Sequence, residues 1–204
     1  MSSLKKELII FGYMREIVEL LKLNIPKDIN NIILLFYQYF EWDKYNSHES
    51  LLFDKINEYT VSSKISDWRS GFSVDGIKLG SINWKIKIHD IGSHAVMIGV
   101  ISNESKESGK KHFWKVADGF GWFSRTGRIF KQVDGNKYGE QSGAYSTEYK
   151  KGDIITVHLN ADLGELSYSK NDKNLGAICW KLANDKQYHL AVALYRDAKL
   201  EFIE

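Results

Sequence analysis

The sequence predicts a mainly β protein, an antiparallel β-sandwich preceded by a short α-helical hairpin. Three stretches carry that reading. Residues 152–176, GDIITVHLNADLGELSYSKNDKNLG, read as a meander of strands framed by turns. Ile82, Trp84, Ile86 and Ile88 alternate with Asn83, Lys85 and Lys87, the period of a half-buried strand. Residues 95–101 form a near-continuous apolar run, as in a strand buried on both faces.

Taken in order, residues 4–23 place Leu4, Leu8, Phe11, Val18 and Leu21 at helical spacings. Asn24-Ile25-Pro26 interrupts the stripe, with Pro26 suited to the first turn of a second helix. Ile29, Ile32, Ile33, Phe36, Tyr37 and Phe40 follow at amphipathic spacing, so residues 1–49 are expected to be a helical hairpin and 50–204 the sandwich. The hairpin either packs on the main domain or serves as a docking element. Residues 41–50 read as a polar loop, and 51–66 are ambiguous, with Phe53, Ile56 and Val61 available to a first strand. Residues 103–111 read as a charged, mobile loop. The aromatic stretch HFWKVADGFGWFSRTGRIF comes next, then a short strand within 139–146. After residue 176, runs at 178–182, 190–194 and 200–202 read as the last three strands.

Inside the meander, residues 154–159 are β-branched and apolar, as a strand requires. Asn160-Ala161-Asp162-Leu163-Gly164 has turn chemistry, with Gly164 the residue for a positive φ. Leu166 and Tyr168 alternate with Glu165, Ser167 and Ser169, and Asn171-Asp172 forms the next tight turn. The ordered set Gly152, Asp153, Ile154, Ile155, Asp162, Gly164, Leu166, Tyr168, Lys170, Asn171, Leu175 and Gly176 resembles the core signature of the SPRY domain family. Trp84, Ile86, Ile88, Ile98, Gly99 and Val100 resemble that family's first long hairpin. Gly121-Trp122 with Gly127 resembles its Gly-Trp element, in which the tryptophan is core. Thr156, Asp172 and Leu190 depart from the family's usual Gly, Gly and Pro. The resemblance spans about residues 50–204 and implies a concanavalin-like sandwich.

Composition narrows the function. The chain is 43% hydrophobic and 26% charged, with a formal net charge of +2, ordinary for a globular protein. Residues 1–60 carry 7 basic against 9 acidic side chains, and the remainder 21 against 17, too even for a nucleic-acid footprint. No run approaches the roughly 20 apolar residues that span a bilayer. Charges interrupt the first 23 residues, unlike a signal peptide, so a cytoplasmic protein is expected. The lone Cys179 excludes an internal disulfide and a cysteine-based zinc site within this chain. It sits in an apolar run, as an inert buried thiol would.

No catalytic pattern stands out. His48, His89, His94, His112, His158 and His189 never take a metal-ligand spacing, and Asp162 with Glu165 is better explained by a turn than by an acid/base pair. Nucleophile-elbow and phosphate-loop motifs are lacking, and no cofactor or metal is expected. What remains is a surface of loops at one end of a sandwich. The family resemblance implies a pocket there for a peptide or protein partner. Mapped by position, its candidates are Trp68, Arg69, Asn103, Phe113, Trp114, Tyr195 and Arg196. Trp, Tyr and Arg are the residue types that dominate interface hot spots. For Trp68 and Trp114, packing in the core or at its rim stays open. The expected function is that of a non-catalytic adaptor or scaffold, with a second protein partner available to the N-terminal helices. Two alternatives stay open: a lectin-like module stacking sugars on Trp114 and Trp122, and a structural subunit of a larger assembly.

Overall fold

Two antiparallel sheets face each other across a core of aliphatic and aromatic side chains. This computed structural model describes residues 40–134, 137–140, 145–178 and 181–203. The compact unit begins at Phe40, and the expected helices over 4–39 lie outside the described residues. The first sheet contains β1 (Leu51–Phe53), β2 (Thr60–Ser63), β4 (Ser81–Ile91), β9 (Ile154–Asn160), β10 (Glu165–Lys170), β11 (Lys173–Ala177) and β13 (Ala198–Ile203). Their order across the sheet is β1-β2-β13-β4-β9-β10-β11. The second sheet contains β3 (Arg69–Ile77), β5 (Val96–Ser102), β6 (Gly119–Phe123), β7 (Ile129–Asp134), β8 (Lys137–Glu140) and β12 (Tyr188–Leu194). It runs β3-β12-β5-β6-β7-β8.

The alternation expected in β4 is present: Trp84, Ile86 and Ile88 are buried while Asn83, Lys85 and Lys87 face solvent. Every residue of β5 and of β12 is buried. In β12, Leu190, Val192 and Leu194 enter the core between the sheets. Ala191 and Ala193 join a second cluster with Phe72, Met97, Ile101, Phe113 and Trp114. The sheet is therefore covered on its outer face too, by residues 103–116.

The motif at 152–176 has a mechanical explanation. Asn171 Nδ2 donates to Asp153 Oδ1 at 2.8 Å, Ile154 N–H donates to Asn171 Oδ1 at 2.8 Å, and Lys150 N–H donates to Asp153 Oδ2 at 2.9 Å. Asp153 and Asn171 thus pin the start of β9 to the end of β10. Lys170 pairs with Lys173, and the two residues between them lie in the left-handed region, Asn171 at φ +50° and Asp172 at φ +63°. This is the two-residue turn that suits the twist of a hairpin. Gly164 has its expected positive φ, at +62°.

Several local expectations fail, each because a contact distant in sequence takes over. Phe40, expected to close the second helix, has no regular structure and stacks on Phe202 with ring centroids 3.9 Å apart. Residues 41–48 are not a free polar loop. Trp42 is fully buried and donates from Nε1 to the Tyr59 carbonyl at 2.8 Å. The segment lies along the edge of β3, with Asp43 N–H donating to Phe72 O at 2.7 Å and Val74 N–H to Glu41 O at 2.8 Å. Residues 51–66 supply two strands rather than one, and Ile56 is fully exposed in the turn between them. The expected charged loop forms a 3-10 turn, Asn103–Ser105, and a helix, α1 (Lys106–Gly109), with Lys106 buried. The short strand expected within 139–146 is β8, which ends at Glu140; Tyr145 and Ser146 are in a bend. Ile178 and Leu182 are buried outside any strand, while Cys179 lies outside the described residues. Only two strands, β12 and β13, follow β11 among the described residues.

His189, on the covered face of β12, is 3% exposed. Its Nδ1 lies 3.2 Å from the Ser73 carbonyl oxygen, so Nδ1 carries the donated proton. Nε2 is buried with no hydrogen-bond partner. Burial first, then the nearby Lys106 ammonium, pushes its pKa down to about 4.

Two outcomes follow from this packing. Asp172→Gly relieves a side chain held at positive φ and should raise stability by about 0.5–1 kcal/mol, read as a higher urea midpoint. His189 is the second case. An unfolded histidine titrates near 6.5 and the folded one near 4, so between those values the unfolded chain binds the extra proton. The stability tied to neutral His189 is intact above pH 6.5 and falls as pH drops toward 4, by about 3 kcal/mol in all. His189→Asn should flatten the urea-midpoint profile between pH 7 and 4.5; parallel profiles would show that His189 does not carry it.

Candidate functional site

At one end of the second sheet the β4–β5, β12–β13 and β2–β3 connections converge. Gly92 sits at φ +68°, and a Cβ there would come within 2.3 Å of the Arg196 carbonyl oxygen, so only glycine lets the first two turns meet. Ser93 N–H donates to that same oxygen at 2.9 Å. His94 and Tyr195 are thereby brought together, with ring centroids 4.8 Å apart.

These rings join a longer wall. Trp68 lies 5.8 Å from Tyr195, 5.2 Å from Trp114, 6.1 Å from Phe123 and 6.4 Å from His94, largely in edge-to-face arrangements. His112 closes the far side, edge-on to Trp114 at 5.2 Å. Trp68, Tyr195 and Phe123 are half-buried and His94 is exposed. Trp114 is only 6% exposed and Phe113 not at all. Phe113 fits under the wall because β6 carries Gly121 there; a Cβ at that position would lie 2.4 Å from Met97 Sδ and 3.1 Å from Phe113 Cζ.

The cations around the wall are mostly held by neighbours. Arg69 Nη1 donates to Asp67 Oδ2 at 2.5 Å and to the Trp68 carbonyl at 2.7 Å, while its Nε is buried without a partner. That contact holds the Asp67 carboxyl below its ordinary pKa. Arg196 is exposed, donating from Nη1 to Ser66 Oγ at 3.2 Å, with Nε 3.8 Å from Asp197. Beside Trp114 an open groove is lined by His48, Glu49, Glu107, Lys110, Lys111 and His112, and Lys110 pairs with Glu107 at 2.7 Å. His48 and His112 titrate below the ordinary histidine value, through burial first and then neighbouring cations. A wall of partly exposed rings with charged side chains at its rim offers stacking, apolar contact and hydrogen bonds. Among the described residues no cluster of three or more His, Cys, Asp or Glu side chains could hold a metal ion. No described helix is long and apolar enough to cross a membrane.

Of the seven sequence candidates, six come together here. Trp68, Arg69, Tyr195 and Arg196 form the surface, and Trp114 and Phe113 support it from below. Asn103 is elsewhere. Leu194 pairs with Val96 and Tyr188 with Ser102, so Asn103 follows the opposite end of β5, about 20 Å along the strand. The sugar-stacking alternative loses its faces, because Trp122 is fully buried in the core and Trp114 nearly so. His94, Phe123 and Ser66 are members that sequence reasoning missed. Their only signal is proximity to turns, and it becomes useful once β5 is known to lie beside β12.

Comparison with known proteins adds the wider context. A family model described as the SPRY domain matches residues 81–204, more than half of the chain. The SPRY domain of human HERC1 superposes with a TM-score of 0.64 at 16% identity, covering 80% of this chain and 97% of that one. The TRIM65 PSpry domain gives 0.60 at 10% identity, covering 89% and 99%. The neuralized NHR1 domain of Drosophila melanogaster gives 0.56 at 13% identity, covering 81% and 98%. At these identities the likeness is one of fold.

The burial pattern separates support from surface. Trp114→Ala should cost about 3–5 kcal/mol of stability, whereas Tyr195→Ala should cost about 1 kcal/mol, both read from urea denaturation. Equal losses would mean that the two rings are not layered in this way.

Proposed function

Because this chain belongs to the SPRY domain family, we propose that it is a non-catalytic recognition module that binds a peptide or protein partner on the aromatic wall. SPRY domains are generally protein-interaction modules. In this reading Trp68 and Tyr195 are the anchors, Arg196 supplies the hydrogen bonds at the rim, and Arg69 braces Trp68. Phe113 and Trp114 hold the wall from beneath, and Asn103 takes part only if the ligand runs the length of β5. The supporting observation is the wall itself: half-buried tryptophan and tyrosine rings 5.8 Å apart, beside an exposed arginine. Large rigid rings gain contact area at little entropic cost, and such rings with arginine are where binding energy concentrates. An adaptor or scaffold role in the cytoplasm belongs to the same proposal, with residues 1–39 as the candidate contact for a second partner.

The test uses the full chain to capture partners from lysate, with the affinity of the principal partner then measured in isolation. Tyr195→Ala and Arg196→Ala should each weaken that affinity at least about tenfold while the chain stays folded, with no more than about 1 kcal/mol lost in urea denaturation. Unchanged affinity in both variants would remove the wall from the assignment.

A further inference from the structure

Helix α1 and the segment 40–48 are joined by an ion pair that the surface does not reveal. Lys106 is 4% exposed and Asp43 7%. Lys106 Nζ lies 3.0 Å from Asp43 Oδ2 and donates to the Ser73 carbonyl oxygen at 3.0 Å. Asp43 is completed by Asn46, whose side chain donates to Oδ2 at 2.7 Å and whose backbone N–H donates to Oδ1 at 3.0 Å. Burial pulls the Lys106 pKa down against the pull of Asp43; burial pushes the Asp43 carboxyl up, but Asn46 and Lys106 together outweigh it and keep the group below its ordinary value.

This pair closes a circuit through β3. From the segment 40–48, on the edge of β3 away from β12, His48 N–H donates to Ser70 O at 3.0 Å and Phe72 N–H donates to Ser47 Oγ at 2.9 Å. From residues 110–113, along the same edge, the Lys110 carbonyl accepts from Ser70 N–H at 2.7 Å, and Phe113 N–H donates to Ser70 Oγ at 3.2 Å. Ser70 is therefore held by both segments, and Trp114 follows Phe113 directly. A Cβ on Gly109 would come within 2.5 Å of Ile101 Cδ1, so α1 lies tight against β5. The contacts from Asp43 to Trp114 are continuous.

We propose that Asp43 and Lys106 are positioning residues for the aromatic wall, so that residues 40–48 belong to the recognition module rather than to a lead-in ahead of it. Their role in recognition rests on the reading of the wall given above. The positioning itself is a property of the unliganded chain. Breaking one member of a buried pair leaves the other charge without its partner, and the cost appears first where the structure can open locally.

The experiment follows amide hydrogen exchange and the indole N–H resonances of the full chain without ligand. Asp43→Asn keeps the shape and removes the carboxylate charge; Lys106→Met keeps the aliphatic stem and removes the ammonium. Either variant should speed exchange at residues 107–115 at least about tenfold and shift the Trp68 and Trp114 indole signals, while β9 and β10 change less than about twofold. Uniform acceleration throughout the sandwich would make the pair a general stabiliser and overturn the proposal. Unchanged exchange at residues 107–115 would overturn it as well. Should Lys106→Met not fold, the isosteric Asp43→Asn decides alone. Since no ligand enters, the outcome is independent of whether the wall is the recognition surface.

Discussion

A strand whose side chains are apolar on both faces must be covered twice, and β5 and β12 are such strands. Val96, Ile98 and Val100 enter the core between the sheets, while Met97 and Ile101 point the other way, as Ala191 and Ala193 do in β12. Left bare, that outer face would be an apolar patch of the kind that promotes association. Residues 103–116 cover it. Phe113 fills the depression over Gly121, and Trp114 seals its edge. The aromatic wall is the margin of this cover, where burial runs out and rings stand half in solvent.

The same requirement explains the polar devices. The free edge of β3 would leave unpaired backbone donors and acceptors, and residues 41–48 pair part of it. Bringing that segment to α1 buries a lysine and an aspartate, which is tolerable because each has other partners, Ser73 O for one and Asn46 for the other. In the core, Tyr149 is 1% exposed and its hydroxyl donates to the Trp122 carbonyl at 2.8 Å, satisfying a polar group that apolar packing cannot. Across the first sheet, Asp153 and Asn171 do the same for the hairpin that contains the family signature.

How much could be read from residues alone follows from how local each determinant is. The alternation in β4, the double burial of β5 and the left-handed turn at Asn171-Asp172 are encoded within a few residues, and each was legible. The environment of Trp42 depends on Tyr59 and Phe53, and that of Lys106 on Asp43, 63 residues away. Neither relation leaves a periodic trace. A charged stretch such as NESKESGKK reads as solvated, because nothing in it marks the one lysine that turns inward. The wall is half legible: the family resemblance maps Trp68, Tyr195 and Arg196 to loops, and turn position and residue type suit them to a surface. Asn103 falls in the same set because sequence order does not say which end of a strand a loop occupies. His94 carries no signal in sequence, because a histidine without metal spacing is marked only by its neighbours in space.

The site thus emerges from packing. A sheet buried on both faces needs a cover, the cover has an aromatic margin, and the margin carries arginines. Photo-crosslinking of the full chain tests that account most directly, with a benzophenone amino acid placed at position 195 or at position 103 and the captured partner identified by mass. Crosslinks to the partner are expected from position 195 and none from 103. Efficient crosslinks from 103 with none from 195 would place recognition at the opposite end of β5 and contradict it.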